Sequence, residues 1–119
     1  MTQHLGNVFK VELKPEGYKS LEDESIVPTA THHIANLKGV DVGVWQADPG
    51  LIGGQTNEEI FIVLEGRAEV TFEDTKETIQ IGPGDVVRLH AGQRNRWRTI
   101  ERLRKISVWV DTKGRAPSA

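Results

Sequence analysis

Three segments decide the fold: EEIFIVLEG (58–66), GPGD (82–85) and HAGQRNRW (90–97). The first is an apolar run of strand length that carries one carboxylate inside it, Glu59, and ends at Gly66. The other two contain the glycine and proline residues that reverse a chain in tight turns. Strand-length runs separated by such turns, without any sustained helical period, predict an all-β barrel or sandwich.

Alternation of apolar and polar residues predicts further strands around this region. The first predicted strand should end at Pro15 and Gly17. Residues 18–39 are expected to form surface loops with at most a short helical turn. The adjacent His32 and His33 would point to opposite faces of a strand, so they are interpreted as surface residues. The predicted strands cover residues 8–13, 40–46, 58–65, 67–72, 78–81, 86–89, 94–99 and 103–110.

Composition limits the class of protein. The chain has 119 residues, which corresponds to one domain, and it contains no cysteine for disulfide or thiolate chemistry. No apolar run approaches the roughly 18 residues of a membrane span, and the N-terminus lacks a signal-peptide pattern. The net charge of −2 favours no general attraction to nucleic acid. We therefore expect a cytoplasmic protein with neither membrane nor nucleic acid as a partner.

The strand that contains Glu59 is apolar on both faces, which is typical of a strand between two layers. One face should fill the barrel interior, and the other should be covered by a second sheet, a terminal segment or a partner subunit. The two faces consist of Glu59, Phe61 and Val63, and of Ile60, Ile62 and Leu64. A homodimer formed through sheet contacts is the expected assembly.

The spacing of the glycines and the glutamate resembles the cupin superfamily, whose first motif is Gly-x5-His-x-His-x3/4-Glu-x6-Gly. Glu59-x6-Gly66 fits the end of that motif. The second motif is Gly-x5-Pro-x-Gly-x2-His-x3-Asn, and Gly84-x5-His90-x-Gly92-x2-Asn95-x3-Thr99 fits its frame. The chain is more narrowly similar to ureidoglycine aminohydrolase-like and ethanolamine-utilisation-type cupins. The resemblance implies a single RmlC-like jelly-roll barrel with its core at 40–110, residues 1–39 packed on it, and a tail at 111–119.

The chain departs from the motifs at the metal ligands that the resemblance implies. The two histidines of the first motif would fall at Gly53 and Gln55, and the histidine of the second would fall at Asn95. Only Glu59 remains, and zinc or iron normally requires three or more strong ligands. We therefore expect no transition metal and no other cofactor.

Glu59 is the candidate catalytic residue. Its strand neighbours Phe61 and Val63 would desolvate the carboxylate, which favours the protonated form and suits a general acid or base. The alternative is a structural glutamate tied to an arginine or to backbone amides. The sequence leaves both interpretations open.

The expected ligand pocket is lined by Trp45, Gln55, Glu59, Phe61, Asn95 and Trp97. Neutral amides bind polar ligands well because they offer both donors and an acceptor, so the first hypothesis is a small polar molecule bound without a metal. The second is an enzyme, a hydrolase or isomerase of a small nitrogen-containing metabolite. For the tryptophans the alternative is core packing, and for Gln55 it is a place on the rim.

One basic cluster begins within the second motif and continues past it: Arg94, Arg96, Arg98, Arg102, Arg104 and Lys105. It could bind phosphate groups, but no aromatic residue shares the arginine face to stack on bases. We expect instead a solvated outer face, or one paired across a subunit interface with acids such as Glu69 and Glu73. His90 is either a proton shuttle or a surface residue.

Overall fold

The computed structural model describes residues 3–110, which form eight strands connected by short turns. Every strand pairing is antiparallel. Within this range there is no helix, and hence none that could cross a membrane. The strands are β1 (Lys14–Lys19), β2 (Ile26–Leu37), β3 (Val40–Ala47), β4 (Gly50–Gln55), β5 (Glu58–Phe72), β6 (Thr78–Ile81), β7 (Val86–Leu89) and β8 (Arg94–Val110).

The long strands β5 and β8 take part in both layers of the fold. The first part of β5 pairs with the last part of β8, and these extend through β3, β2 and β1 on one side and β7 on the other. The second part of β5 pairs with the first part of β8, which also pairs with β4, and β6 lies beyond β5. Two sheets that share two bent strands form a jelly-roll barrel, as the resemblance to cupins implied.

Gly66 makes the bend in β5 possible. The pairing of β5 with β8 is irregular between Val63 and Ala68. Gly66 has a φ of 88°, and a Cβ atom there would collide with the carbonyl group of Arg102. Only glycine fits such a close approach. The prediction that Gly66 ends the strand is wrong, because β5 continues through the bend.

Two further predictions about the first third of the chain are wrong. Residues 8–13 are not a strand; β1 follows them and contains Pro15 and Gly17. Among the strands of residues 3–110, β1 lies at the edge of the sheet and pairs with β2, and an edge tolerates proline because one side of the strand needs no ladder bonds. The region expected to be loops contains β2, in which only Val27 and Thr29 are buried. So few buried positions leave no clear alternation in the sequence.

The segment before β1 lies against the first sheet. The Arg104 guanidinium donates to the carbonyl oxygen of Val8 at 2.9 Å, and the His32 ring lies 3.1 Å from the carbonyl oxygen of Glu12. β1 and β2 then continue the sheet outward from β3. The tail predicted at 111–119 lies outside the described residues.

The inner faces of the two sheets form one hydrophobic core that includes Trp45, Phe61 and Trp97. The opposite face of β5 points outward, and Ile60 and Ile62 there remain 45% and 42% exposed. The interior is filled by side chains from β2 to β8, and the candidate site lies among those of β3, β5 and β8.

Candidate functional site

A charged cluster lies at the centre of the barrel. Glu59 of β5 and Lys105 of β8 form an ion pair, and both side chains are completely buried. Ser107 of β8 joins them: the Lys105 Nζ donates to the Ser107 Oγ at 2.9 Å, and the Ser107 hydroxyl donates to the Glu59 Oε2 at 3.0 Å. The ammonium group and the hydroxyl thus both bind the same carboxylate oxygen.

Three aromatic rings surround the Lys105 ammonium group. Its Nζ lies 4.5 Å from the ring centre of Phe61, 5.2 Å from that of Trp45 and 5.6 Å from that of Trp97. The rings also contact each other, with centroid distances of 5.3 Å for Phe61 and Trp97 and 5.7 Å for Trp45 and Trp97. Ring faces attract a cation at such distances, so this aromatic cage stabilises the buried charge of Lys105.

The sequence interpretation placed Lys105 in the exposed basic cluster, and this is wrong. β8 alternates along its length, and the predicted inward direction of Asn95, Trp97 and Thr99 is confirmed. The same alternation, continued past the bend, turns Lys105 and Ser107 inward. The periodicity was therefore a usable signal, but the neighbouring arginines suggested a solvated lysine.

The surroundings of Glu59 match the alternative interpretation, in which it is a structural glutamate. Its partner is a lysine and not the arginine that this interpretation named. Its Oε2 accepts from both Lys105 and Ser107, while its Oε1 has no hydrogen-bond partner among the described residues. One carboxylate oxygen is thus held by two donors, whereas the other could still accept a hydrogen bond.

The structure brings together most of the residues predicted to line the pocket. Trp45, Phe61, Asn95 and Trp97 are each at most 1% exposed and face the interior with Glu59. Gln55 lies apart from them: it is exposed, and its side chain donates to the carbonyl oxygen of Gly92 at 3.0 Å. Gln55 therefore takes the place on the rim that the alternative interpretation gave it.

Several buried polar atoms in the interior have no hydrogen-bond partner among the described residues. These are both side-chain amide atoms of Asn95, the indole Nε1 atoms of Trp45 and Trp97, and the hydroxyl groups of Thr29 and Thr99. Buried polar groups are nearly always hydrogen-bonded to protein or to an ordered molecule. These atoms therefore mark a polar lining that a further molecule could satisfy.

The β4 positions that face the interior differ from those expected. Ile52 is 1% exposed and belongs to the core, whereas a Cβ atom at Gly53 would meet the exposed side chains of Leu21 and Arg96. Alternation then puts Gly54 with Ile52 on the inner face. The longer spacing of the first cupin motif, His-x-His-x4-Glu, fits this geometry and places its histidines at Ile52 and Gly54 rather than at 53 and 55.

The inward positions do not fit a transition-metal site. Ile52 and Gly54 offer no side-chain donor, and Asn95 offers only a neutral amide. No cluster of three or more histidine, aspartate or glutamate side chains suited to a metal occurs in residues 3–110. The space beside the Glu59 Oε2 is occupied by the Lys105 ammonium group.

The remaining candidates lie outside the barrel. His90 is exposed at the corner after β7. The arginines of the outer face form ion pairs within the chain: Arg96 with Glu73, Arg98 with Glu22 and Arg102 with Asp48. These pairs reduce the positive field of the cluster.

Tyr18 of β1 belongs to the site and was not singled out in the sequence. Burial raises the pKa of its phenol above the ordinary 10.0, and the negative charges of Glu16 and Glu59 raise it further. Tyr18 packs against the core and is close enough to Glu59 to sense its charge. A tyrosine on an edge strand gives no signal of this proximity in the sequence.

We predict that Glu59→Gln lowers the pKa of Tyr18, because it removes one of the negative charges that disfavour tyrosinate. The pKa should stay above 10.0, since burial is the larger cause and persists. Tyr18 is the only tyrosine, so ultraviolet absorbance of tyrosinate measures it directly. Glu65→Gln, which removes an exposed carboxylate that does not act on Tyr18, serves as the control. An unchanged pKa in Glu59→Gln would mean that the two groups are farther apart than described here.

The comparisons agree with the barrel geometry. Residues 35–106 match the family model for the EutQ-like cupin domain. A putative ethanolamine utilization protein Q from Salmonella typhimurium LT2 superposes with a TM-score of 0.64 at 18% identity, over 87% of this chain and 99% of that one. The Clostridium difficile EutQ protein gives 0.63 at 15% identity, over 71% of this chain and 68% of that one.

A protein of unknown function from Rhizobium leguminosarum bv. viciae 3841 is 26% identical, with a TM-score of 0.62, over 69% of this chain and 80% of that one. No curated protein sequence matches significantly. The family-model match covers more than half of the chain and includes Glu59, Asn95 and Lys105. The chain therefore belongs to the EutQ-like cupin family.

Proposed function

We propose that the protein binds a small polar molecule inside the barrel, without a transition metal. The observation that supports this most directly is the set of buried polar atoms of Asn95, Trp45 and Trp97 that find no partner within residues 3–110. Each unsatisfied buried group costs free energy. A bound polar ligand would recover that cost and gain affinity from it.

The polarity of these atoms favours a particular ligand chemistry. The indole groups of Trp45 and Trp97 only donate, and the Asn95 amide both donates and accepts. The Glu59 Oε1, which has no partner in the described part of the chain, accepts. A compact molecule with at least one acceptor oxygen and one N–H or O–H donor would satisfy this lining.

Charge limits the ligand further. The charges of Glu59 and Lys105 offset each other inside the barrel. A ligand with net charge would bring an uncompensated charge into the same interior, which is costly. We therefore propose a neutral or zwitterionic ligand, such as a small amide, amino acid or polyol.

Acid–base catalysis by Glu59 is the weaker alternative. One oxygen of Glu59 already accepts from Lys105 and Ser107, which leaves a single carboxylate oxygen to contact a substrate. Nothing in the geometry favours a hydrolase or isomerase reaction over binding.

Nuclear magnetic resonance of the indole N–H groups tests the binding proposal. The protein is titrated with single members of a panel of small amides, amino acids and polyols in the presence of a metal chelator. At least one compound should shift the resonances of Trp45 and Trp97 saturably. Asn95→Leu, which removes the unpartnered amide, should lose that response while keeping or raising stability.

Asn36→Ala serves as the control, because it removes an exposed amide that contacts Asp41 outside the barrel. It should respond like the native protein. A panel that produces no shift, or a shift that the chelator abolishes, would contradict the proposal.

We also propose that a second copy of the chain covers the outer face of β5. The register pairs Ile60 with Val108 and places Ile62 between Ile106 and Val86, so the exposed apolar side chains are contiguous. Such patches on soluble proteins mark interaction sites.

The shape and charge of this face suit a twofold contact between identical copies. A groove of about 390 Å³ runs along it beside Ile60 and Val108. The ion pair of Glu58 and Arg88 lines the same groove and puts both signs of charge there. A twofold axis can bring Glu58 of one copy to Arg88 of the other, which makes the face self-complementary.

Light scattering should report twice the chain mass of 13.3 kDa. Ile60→Lys should give a monomer, because a lysine charge would be buried in the contact. Ile100→Lys is the matched control, since Ile100 is similarly exposed, 47% against 45%, but is not part of the β5, β7 and β8 patch. A native monomer at every concentration would contradict the dimer, as would an equal effect of both substitutions.

A further inference from the structure

We propose that the Lys105 ammonium group is a built-in cation that takes the place of a metal ion beside Glu59. This inference rests on the metal-free binding proposed above and adds the residue that makes a metal unnecessary. In the cupin motif the glutamate is a metal ligand, and Glu59 occupies that position. Its carboxylate is completely buried and therefore needs a positive partner. Lys105 supplies that partner from within the chain.

The donor set around Glu59 suits an ammonium group and not a metal ion. A metal requires lone pairs, and the inward positions of β4, at Ile52 and Gly54, offer none. An ammonium group requires acceptors and ring faces. It has the Glu59 Oε2 and the Ser107 Oγ as acceptors.

The aromatic cage completes this match. The faces of Trp45, Phe61 and Trp97 lie 4.5 to 5.6 Å from the Nζ atom. Ring faces attract organic ammonium ions, which cages of this kind recognise in general. They cannot replace the imidazole ligands of zinc or iron. The absence of the motif histidines and the presence of Lys105 therefore belong together. A cation that is covalently attached to the chain replaces the metal ion that the histidines would coordinate.

The geometry also defines what the empty cage would bind. Truncating Lys105 would leave a cavity with a carboxylate, a hydroxyl group and three ring faces at its end. A primary alkylammonium ion of the length of the lost side chain carries the same group to the same place. A neutral alcohol of similar size fills the same volume without the charge. A zinc ion carries positive charge but does not have the shape of the lost lysine side chain.

Chemical rescue of Lys105→Ala separates these possibilities. The melting temperature of the variant should lie below that of the native protein and should rise saturably with propylammonium chloride. 1-Propanol and sodium chloride at matched concentrations should have clearly smaller effects. Zn²⁺ should give no saturable rise, because Glu59 alone cannot hold it. The native protein, whose cage is filled, should show no rise with propylammonium.

A variant too unstable to measure directly is refolded from denaturant with propylammonium chloride or with sodium chloride at the same ionic strength. Recovery of folded protein with propylammonium alone would support the proposal. Equal recovery in both salts, or in neither, would overturn it. Saturable rescue by Zn²⁺ in place of propylammonium would also overturn it, because the vacated site would then bind a metal ion and not an ammonium group.

The rescue can fail while the proposed binding function stands, because the two are tested on different proteins. Ligand binding is measured on the native chain with a chelator present. The cation role of Lys105 is measured on the truncated variant without the ligand panel.

Discussion

The ion pair between Glu59 and Lys105 connects the two central strands of the barrel from the inside. Both side chains are fully buried, so neither charge can be hydrated by water. Breaking such a pair by removing one partner typically costs about 3–5 kcal/mol, because the other charge stays buried alone. The pair therefore constrains which residues can stand at the inward positions of β5 and β8, and Ser107 and the aromatic cage follow from that constraint.

This constraint has consequences for what the barrel can do. Because the two charges offset each other, the interior is neutral in sum, and its remaining polar capacity lies in Asn95 and the indole groups. Because Lys105 and Ser107 both bind one oxygen of Glu59, the carboxylate is held in one orientation. The same glutamate that ligates a metal in cupins with a full set of histidines is here held by an ammonium group.

The sequence predicted the fold from strong local signals and missed elements whose signals were weak. The glycine turns, the apolar strand around Glu59 and the alternation at 94–99 were sufficient for an all-β barrel or sandwich, and the resemblance to the cupin motifs implied which barrel it is. β2 was missed because few of its side chains are buried. Lys105 was missed because lysines are nearly always solvated, although the alternation of β8 pointed inward. Tyr18 could not be found, since its proximity to Glu59 depends on how β1 extends the first sheet.

The most direct measurement of the central claim is a double-mutant cycle on the free energy of unfolding, with Glu59→Leu, Lys105→Met and the variant that carries both. Each single substitution leaves one buried charge unpaired and should cost about 3–5 kcal/mol. The double variant removes both charges and should be clearly more stable than either single variant, and close to the native protein. Additive losses, with the double variant the least stable, would show that the two charges do not interact and would contradict this account of the barrel.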